Sequence, residues 1–182
     1  MKYTMTDADT LARMADLGRW KARWYHGAHR TVLSIANQFG KQPQYVADVL
    51  AVTSPRVAVT RNIRATRFYF QCGALPTDLI RTTHLALDHY ERTGEIRGPK
   101  TSRFAKCLML DEEPVVLDVW MSKALKVPQS WFGSKSGYAA GEEQIRRAAS
   151  LCGLPPAQTQ AAIWAYAVGA DKRNAPLFED IG

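Results

Sequence analysis

Apolar residues recur at three- and four-residue steps along most of the chain, the spacing that lines one face of an α-helix. The pattern runs from about Asp7 to Phe39, with a break expected near Gly18 or Gly27. Gly40 reads as a stop, and Pro43 opens a helix over Gln44 to Val52. Thr53-Ser54-Pro55 is a turn signal, after which a third helix is expected from Arg56 to Gln71, ending at Gly73. Pro76-Thr77-Asp78 starts a fourth that continues to Glu91 or Arg92. A short polar connection, Thr93-Gly94-Glu95-Ile96-Arg97-Gly98, leads to Pro99 and a helix over Lys100 to Leu110. The run Val115-Val116-Leu117 has the character of a strand but is too short and isolated to build a sheet. Helices follow from Asp118 to Leu125, Tyr138 to Leu151 and Pro155 to Val168, with a Pro-, Ser- and Gly-rich loop over Val127 to Gly137. The prediction is an all-α chain without internal repeats.

At 182 residues, 46% of them hydrophobic, the chain suits a single domain, built either as one body or as two helical lobes. Only the first six residues and the last ten read as disordered ends. No apolar run is long enough to cross a bilayer, and the opening MKYTMTDADT lacks a signal peptide's apolar stretch. A cytoplasmic protein is expected, nucleoid-associated or in a host's cytoplasm if the source is viral. The net charge of +7 changes the picture more, because Lys and Arg that neutralise phosphates release condensed counterions. It makes nucleic acid a natural partner. Cys72, Cys107 and Cys152 are odd in number and widely spaced, and are expected as reduced, buried thiols. Without a Cys-x-x-Cys pair or a His cluster, neither metal nor cofactor is expected.

The informative segment is Gly98-Pro99-Lys100-Thr101 followed by Pro114-Val115-Val116-Leu117-Asp118. Here the chain resembles the helix-hairpin-helix DNA glycosylases, the superfamily of endonuclease III and 8-oxoguanine glycosylase. Their hairpin ends in Gly-x-Lys-Thr, and their catalytic Asp lies eighteen residues beyond the Lys, after a Pro and a few apolar residues. Lys100 and Asp118 have that separation. Leu50-Ala51-Val52-Thr53-Ser54 and the basic segment containing Asn62 look like that family's early helix and the turn facing DNA. The resemblance covers about residues 44 to 126, extending more weakly to Val168. It implies a two-lobed helical glycosylase-like fold, a monomer, and double-stranded DNA as partner.

The chemistry implied is base excision, with Lys100 and Asp118 as the catalytic pair. Breaking an N-glycosidic bond develops positive charge on the sugar, which the Asp118 carboxylate can stabilise. The Lys100 amine can attack C1′ and form a Schiff base that leads to strand cleavage. In the first turn of a helix, the positive end of the macrodipole disfavours an ammonium at Lys100 and favours the Asp118 anion. Gly98 and Thr101 belong to a hairpin–helix junction suited to phosphate. Arg97 and Arg103 beside it, with Arg56 and Arg61 upstream, are candidates to grip the DNA backbone. Gln160-Ala161-Ala162-Ile163-Trp164 resembles the segment in which 8-oxoguanine glycosylases read and stack the flipped base, making Gln160 and Trp164 base-pocket candidates along with Trp120.

Plainer readings stand beside these. Gly-Pro-Lys-Thr can be only a helix start with Lys100 solvated, and Asp118 only an N-cap. Trp164 can be core and Gln160 simply polar. The chain also departs from the family pattern: Ile96 stands where the hairpin usually has a further Gly, Gly94-Glu95 replaces the usual Leu-Pro, Val119-Trp120 replaces a common Thr-His, and the four-cysteine cluster is absent. Two further functions therefore stay open: a phage-type transferase that hypermodifies DNA bases on the same fold, and a non-catalytic DNA-binding module. Trp20, Trp24 and Tyr25 are expected in the core. Glu112 and Glu113 are expected in a solvated turn.

Overall fold

The computed structural model describes residues 3–171, and among these the regular structure is entirely helical. The last ten residues, expected as a disordered end, lie outside the described residues. The described residues divide into two compact units, one combining those up to Tyr25 with those from Asp111 to Asp171, the other spanning His26–Leu110.

In the first unit, α1 (Ala8–Leu17) begins where the Asp7 carboxylate accepts the Thr10 backbone N–H at 2.8 Å. It ends at Gly18. A Cβ built on Gly18 would overlap the carbonyl oxygen of Ala162 in α9 (Pro156–Asp171), so only glycine lets the end of α1 meet that helix. A 3₁₀ turn over Arg19–Lys21 then redirects the chain into α2 (Trp24–Phe39), whose first two residues belong to this unit. Of the two breaks considered, Gly18 is the real one; Gly27 lies inside α2. Leu11 and Ala15 of α1, Leu117, Met121 and Leu125 around α7 (Val119–Leu125), Ile145 of α8 (Lys135–Cys152) and Ile163 of α9 form the core. The chain entry is held as well: buried Thr6 donates its hydroxyl to Ala124 O at 2.7 Å and its N–H to Leu125 O, while Gln144 bonds its carbonyl. The expectation of a disordered first six residues is thus corrected at Thr6.

The second unit is organised around α3 (Pro43–Thr53). Its residues Val46, Ala47, Val49, Leu50, Ala51 and Val52 are all buried, the all-round apolar pattern of a helix with neighbours on several sides. It packs on α4 (Val59–Cys72), α5 (Arg81–Thr93) and α6 (Pro99–Leu108). Two helix starts differ from the sequence expectation. Residues 54–58 form a turn, with Val57 N–H on Ser54 O and Arg56 at φ +62°, so α4 opens at Val59, not Arg56. Residues 76–80 are likewise a turn, and α5 opens at Arg81. Arg61 holds that turn by bonding both the carboxylate and the backbone carbonyl of Asp78, which diverts the carbonyl from a helical partner. The turn also lets Leu75 and Leu79 reach the core.

Three tyrosines brace this unit. Tyr45 donates to Glu91 at 2.7 Å, Tyr90 donates to Asp48 at 2.7 Å, and the Tyr45 and Tyr69 hydroxyls lie 3.4 Å apart. Burial, then these partners, pushes the Tyr45 and Tyr90 hydroxyls well above the usual tyrosine range. Burial raises Tyr69 too.

Three burial expectations are corrected. Trp20 is 68% exposed, because the 3₁₀ turn carries it outward while Tyr25 turns in. Cys72, the last residue of α4, is exposed, and Cys152, the last of α8, is only half-buried; Cys107 alone is buried as expected.

Gly18→Val should destabilise by about 3 kcal/mol or more, since the clash is with backbone that cannot repack. Gly27→Ala, whose methyl would meet nothing closer than the Arg30 guanidinium at 3.7 Å, should stabilise by about 0.5–1 kcal/mol. Urea unfolding of both variants checks the opposite signs. A group whose folded-state pKa is raised contributes stability that is complete below its unfolded value and fades above it. Stability should therefore fall as pH rises above about 10, the ordinary tyrosine value. Replacing Tyr45 and Tyr90 with Phe should flatten that fall in a pH series of melting curves.

Candidate active site

Asp118 sits where an extended run enters α7. Val115, Val116 and Leu117 are buried but form no strand; the Tyr138 hydroxyl of α8 serves their backbone instead, donating to Val115 O at 3.0 Å and accepting from Leu117 N–H at 3.1 Å. The preceding Glu112 is tied to the start of α9, its carbonyl accepting from Ala157 N–H and its carboxylate from the Gln158 amide at 2.6 Å. Glu113 is exposed and paired with Arg146. The approach to Asp118 is thus fixed by elements distant in sequence.

The Asp118 carboxylate uses its two oxygens differently. Oδ1 accepts the backbone N–H groups of Trp120 at 2.9 Å and Met121 at 3.0 Å, which makes Asp118 the N-cap of α7. Oδ2 accepts the Trp164 indole N–H at 3.1 Å. Trp164 in turn lies 6.2 Å from the Trp24 ring, and Trp24 packs edge-on against Tyr25 at 4.9 Å. The Tyr25 hydroxyl donates to Gln160 Oε1 at 2.8 Å. Asp118, Trp164 and Gln160, nominated from separate stretches of sequence, therefore join one connected cluster in the first unit. Gln160 is its buried end, only 4% exposed, with its carbonyl committed to Tyr25. Trp120 is half-buried on the first turn of α7, and the Lys123 ammonium lies 4.1 Å above its ring.

Sequence reasoning did not find the members contributed by Trp24 and Tyr25. Trp24 and Tyr25 were expected only as core, and Lys21, 7% exposed with its ammonium 5.1 Å from the Trp20 ring, was not singled out. A useful signal would have been the glycine at 18, which brings this stretch against α9.

Lys100 lies in the second unit. The stretch from α5 to α6 is a helix, a five-residue connection and a helix, with Gly94 at φ +68° closing the first and Gly98 at φ +87° opening the second. A side chain at either φ would be strained, which explains both glycines. Pro99 is the first residue of α6 and Lys100, half-buried, the second. No side chain caps α6, so its first N–H groups are left to solvent or an anion. Thr101 follows on the same turn, and Ile96 packs on the core where the usual hairpin glycine is replaced.

The arginines separate by environment. Arg97 and Arg56 are exposed, Arg103 bonds Pro99 O at 3.3 Å, and Arg61 is bound to Asp78. The turn carrying Arg56 is fixed from beneath: buried Asn62 donates to Leu50 O at 2.8 Å and accepts the Thr53 hydroxyl at 2.6 Å. Among the described residues no three His, Cys, Asp or Glu side chains are grouped to hold a metal, and no helix is long and apolar enough to cross a membrane.

Residues 10–171 match the model of a family of unknown function, DUF7178. The chain belongs to that family. No curated protein and no solved structure matches it. Within the matched DUF7178 region lie both Lys100 and Asp118, together with every other site candidate.

The split use of the carboxylate gives a double-mutant test. Asp118→Asn keeps a capping oxygen but turns an amide N–H₂ toward the Trp164 N–H, setting donor against donor. It should cost about 1.5–3 kcal/mol, the usual worth of a hydrogen bond to a charged group. In a Trp164→Phe background, where the opposing donor is gone, the same change should cost much less. Chemical unfolding of the four proteins measures the coupling.

Proposed function

We propose that this protein acts on bases in DNA in the manner of a helix-hairpin-helix glycosylase, with Asp118 as the charge that faces the reacting sugar. The observation that carries the reading is the Trp164–Asp118 hydrogen bond. It holds an anionic oxygen against an indole and ties the two segments singled out by the resemblance. In this reading the departing base takes the electron pair of the N-glycosidic bond and a proton. Asp118 stabilises the positive charge left on the sugar, by the same electrostatic logic that glycoside hydrolases use.

Lys100 is assigned the attacking amine. Its nitrogen lone pair forms a bond to C1′ and the nitrogen gives a proton to solvent; the C1′–O4′ bond breaks to leave an imine, O4′ taking a proton, and loss of a C2′ proton then expels the 3′ phosphate with the C3′–O electron pair, which breaks the strand. The two glycines with positive φ and the uncapped start of α6 support a phosphate contact at Gly98, Lys100 and Thr101. Exposed Arg56 and Arg97, with Arg103 beside the junction, add cationic contacts. Double-stranded DNA is the assigned partner and a monomer the assigned state. Trp164 and Trp120 are assigned to the base, with Gln160 supporting them through Tyr25.

A second reading has an observation of its own. Because Asp118 caps α7, the residue has a structural reason to be acidic, which suits a DNA-binding module without chemistry.

Incubation of the protein with a panel of duplexes bearing damaged or modified bases, with and without borohydride, separates the two readings. Base release and a trapped adduct are expected for the native protein. Lys100→Gln should abolish the adduct, and Asp118→Asn should slow base release by a hundredfold or more, on the order of removing one electrostatic stabiliser. Duplex binding with neither release nor adduct across the panel leaves the binding module. Mass analysis of the released nucleosides would expose base modification in place of excision.

A further inference from the structure

The second unit contains a cavity of about 290 Å³ that shares Arg97 and Thr101 with the proposed phosphate contact and whose apolar wall that reading leaves unused. Its apolar wall comes from Val52 and Pro55 at the end of α3 and from Leu85 and Ala86 of α5. Its polar groups are Thr82 and His89 of α5, Arg97 of the connection and Thr101 of α6. Leu85 is 54% exposed, so part of the apolar wall faces solvent. At the low end of the size of ligand sites, the cavity suits one ring system and not a length of folded chain.

Charge selects the ring. Arg97 is the one cation among its described lining residues. The Glu95 carboxylate lies 3.6 Å from the His89 imidazole. An apolar wall with one guanidinium among its polar groups matches a flat ring carrying a negative tail. A nucleotide has both parts: the base can stack on apolar and aliphatic surface, and the phosphate can meet a guanidinium.

We propose that this cavity takes an unpaired nucleotide of a DNA strand, with its base against Leu85 and Ala86 and its phosphate on Arg97. The site is distinct from the cluster at Asp118, which is in the other unit. It rests on the reading of the protein as one that handles DNA, and it makes that protein a reader of interrupted pairing.

The test compares affinity for a fully paired duplex and for the same duplex carrying a single-nucleotide bulge, by fluorescence anisotropy at fixed salt. The bulged duplex should bind about fivefold tighter, what covering roughly 40 Å² of apolar base surface supplies. Ala86→Leu, which fills the cavity, should remove that preference and leave binding of paired duplex within about twofold. Thr82→Glu, at an exposed position where folding is not at stake, should weaken the bulged duplex more than the paired one. Equal affinity for the two duplexes, or a preference surviving both substitutions, overturns the proposal while leaving the glycosylase reading intact. Binding of no DNA at all overturns both. Deoxyadenosine monophosphate shifting the Thr82 and Thr101 amide resonances, with no preference for the bulge, overturns the strand assignment in favour of a free nucleotide.

Discussion

Where α1 ends, the chain backbone stands against the carbonyl of Ala162, and only a residue without a Cβ fits there. That contact sets the course of the chain beyond it. It turns the backbone through Arg19–Lys21 and delivers Trp24 and Tyr25 to α9, where one meets Trp164 and the other Gln160. Trp164 then holds Asp118. Three residues of the candidate site are therefore arranged by a glycine that carries no chemistry, and a bulkier side chain at position 18 would separate the helices that hold them.

Much of the helical layout was legible because its punctuation is local. Gly40, Gly73, Gly94 and Gly153 all follow helices at positive φ, as the left-handed stop at a helix end requires. Pro43 and Pro99 stand at first positions, and Asp118 was readable as an N-cap. The misplaced starts of α4 and α5 have nonlocal causes. Arg56 adopts a left-handed conformation disfavoured for its residue type, in a turn whose preceding helix end is pinned by Asn62, and residues 76–80 form a turn bonded at Asp78 by Arg61, seventeen positions upstream. The exposure of Trp20 and the burial of Lys21 follow from the phase of a three-residue 3₁₀ turn, which helical periodicity cannot anticipate.

The site was legible in the same uneven way. Lys100 and Asp118 were nominated through a family resemblance at a shared spacing, and Gln160 and Trp164 through a likeness at the level of residue types. The sequence could not show that an indole N–H would face Asp118, nor that the Gln160 carbonyl would be taken by Tyr25. Nor could it reveal Tyr138, whose hydroxyl replaces a neighbouring strand for Val115 and Leu117. Each of these pairings joins segments more than twenty residues apart, and each satisfies a polar group that burial would otherwise leave costly.

An acidic residue that caps a helix is often set aside as structural, but capping and chemistry ask the same thing of Asp118. Its Oδ1 gathers two backbone N–H groups at the positive end of α7, and an anion is the form those groups favour. A carboxylate that must face a cationic sugar also has to be ionised and fixed before the charge develops, so that little reorganisation remains at the moment of reaction. The cap aims two backbone donors at one carboxylate oxygen. The indole on Oδ2, anchored in turn by Trp24, helps fix the carboxylate. The structural role is therefore a means by which the chemical one could work, and stability measured alone cannot separate them; the consequence of removing charge while keeping shape can.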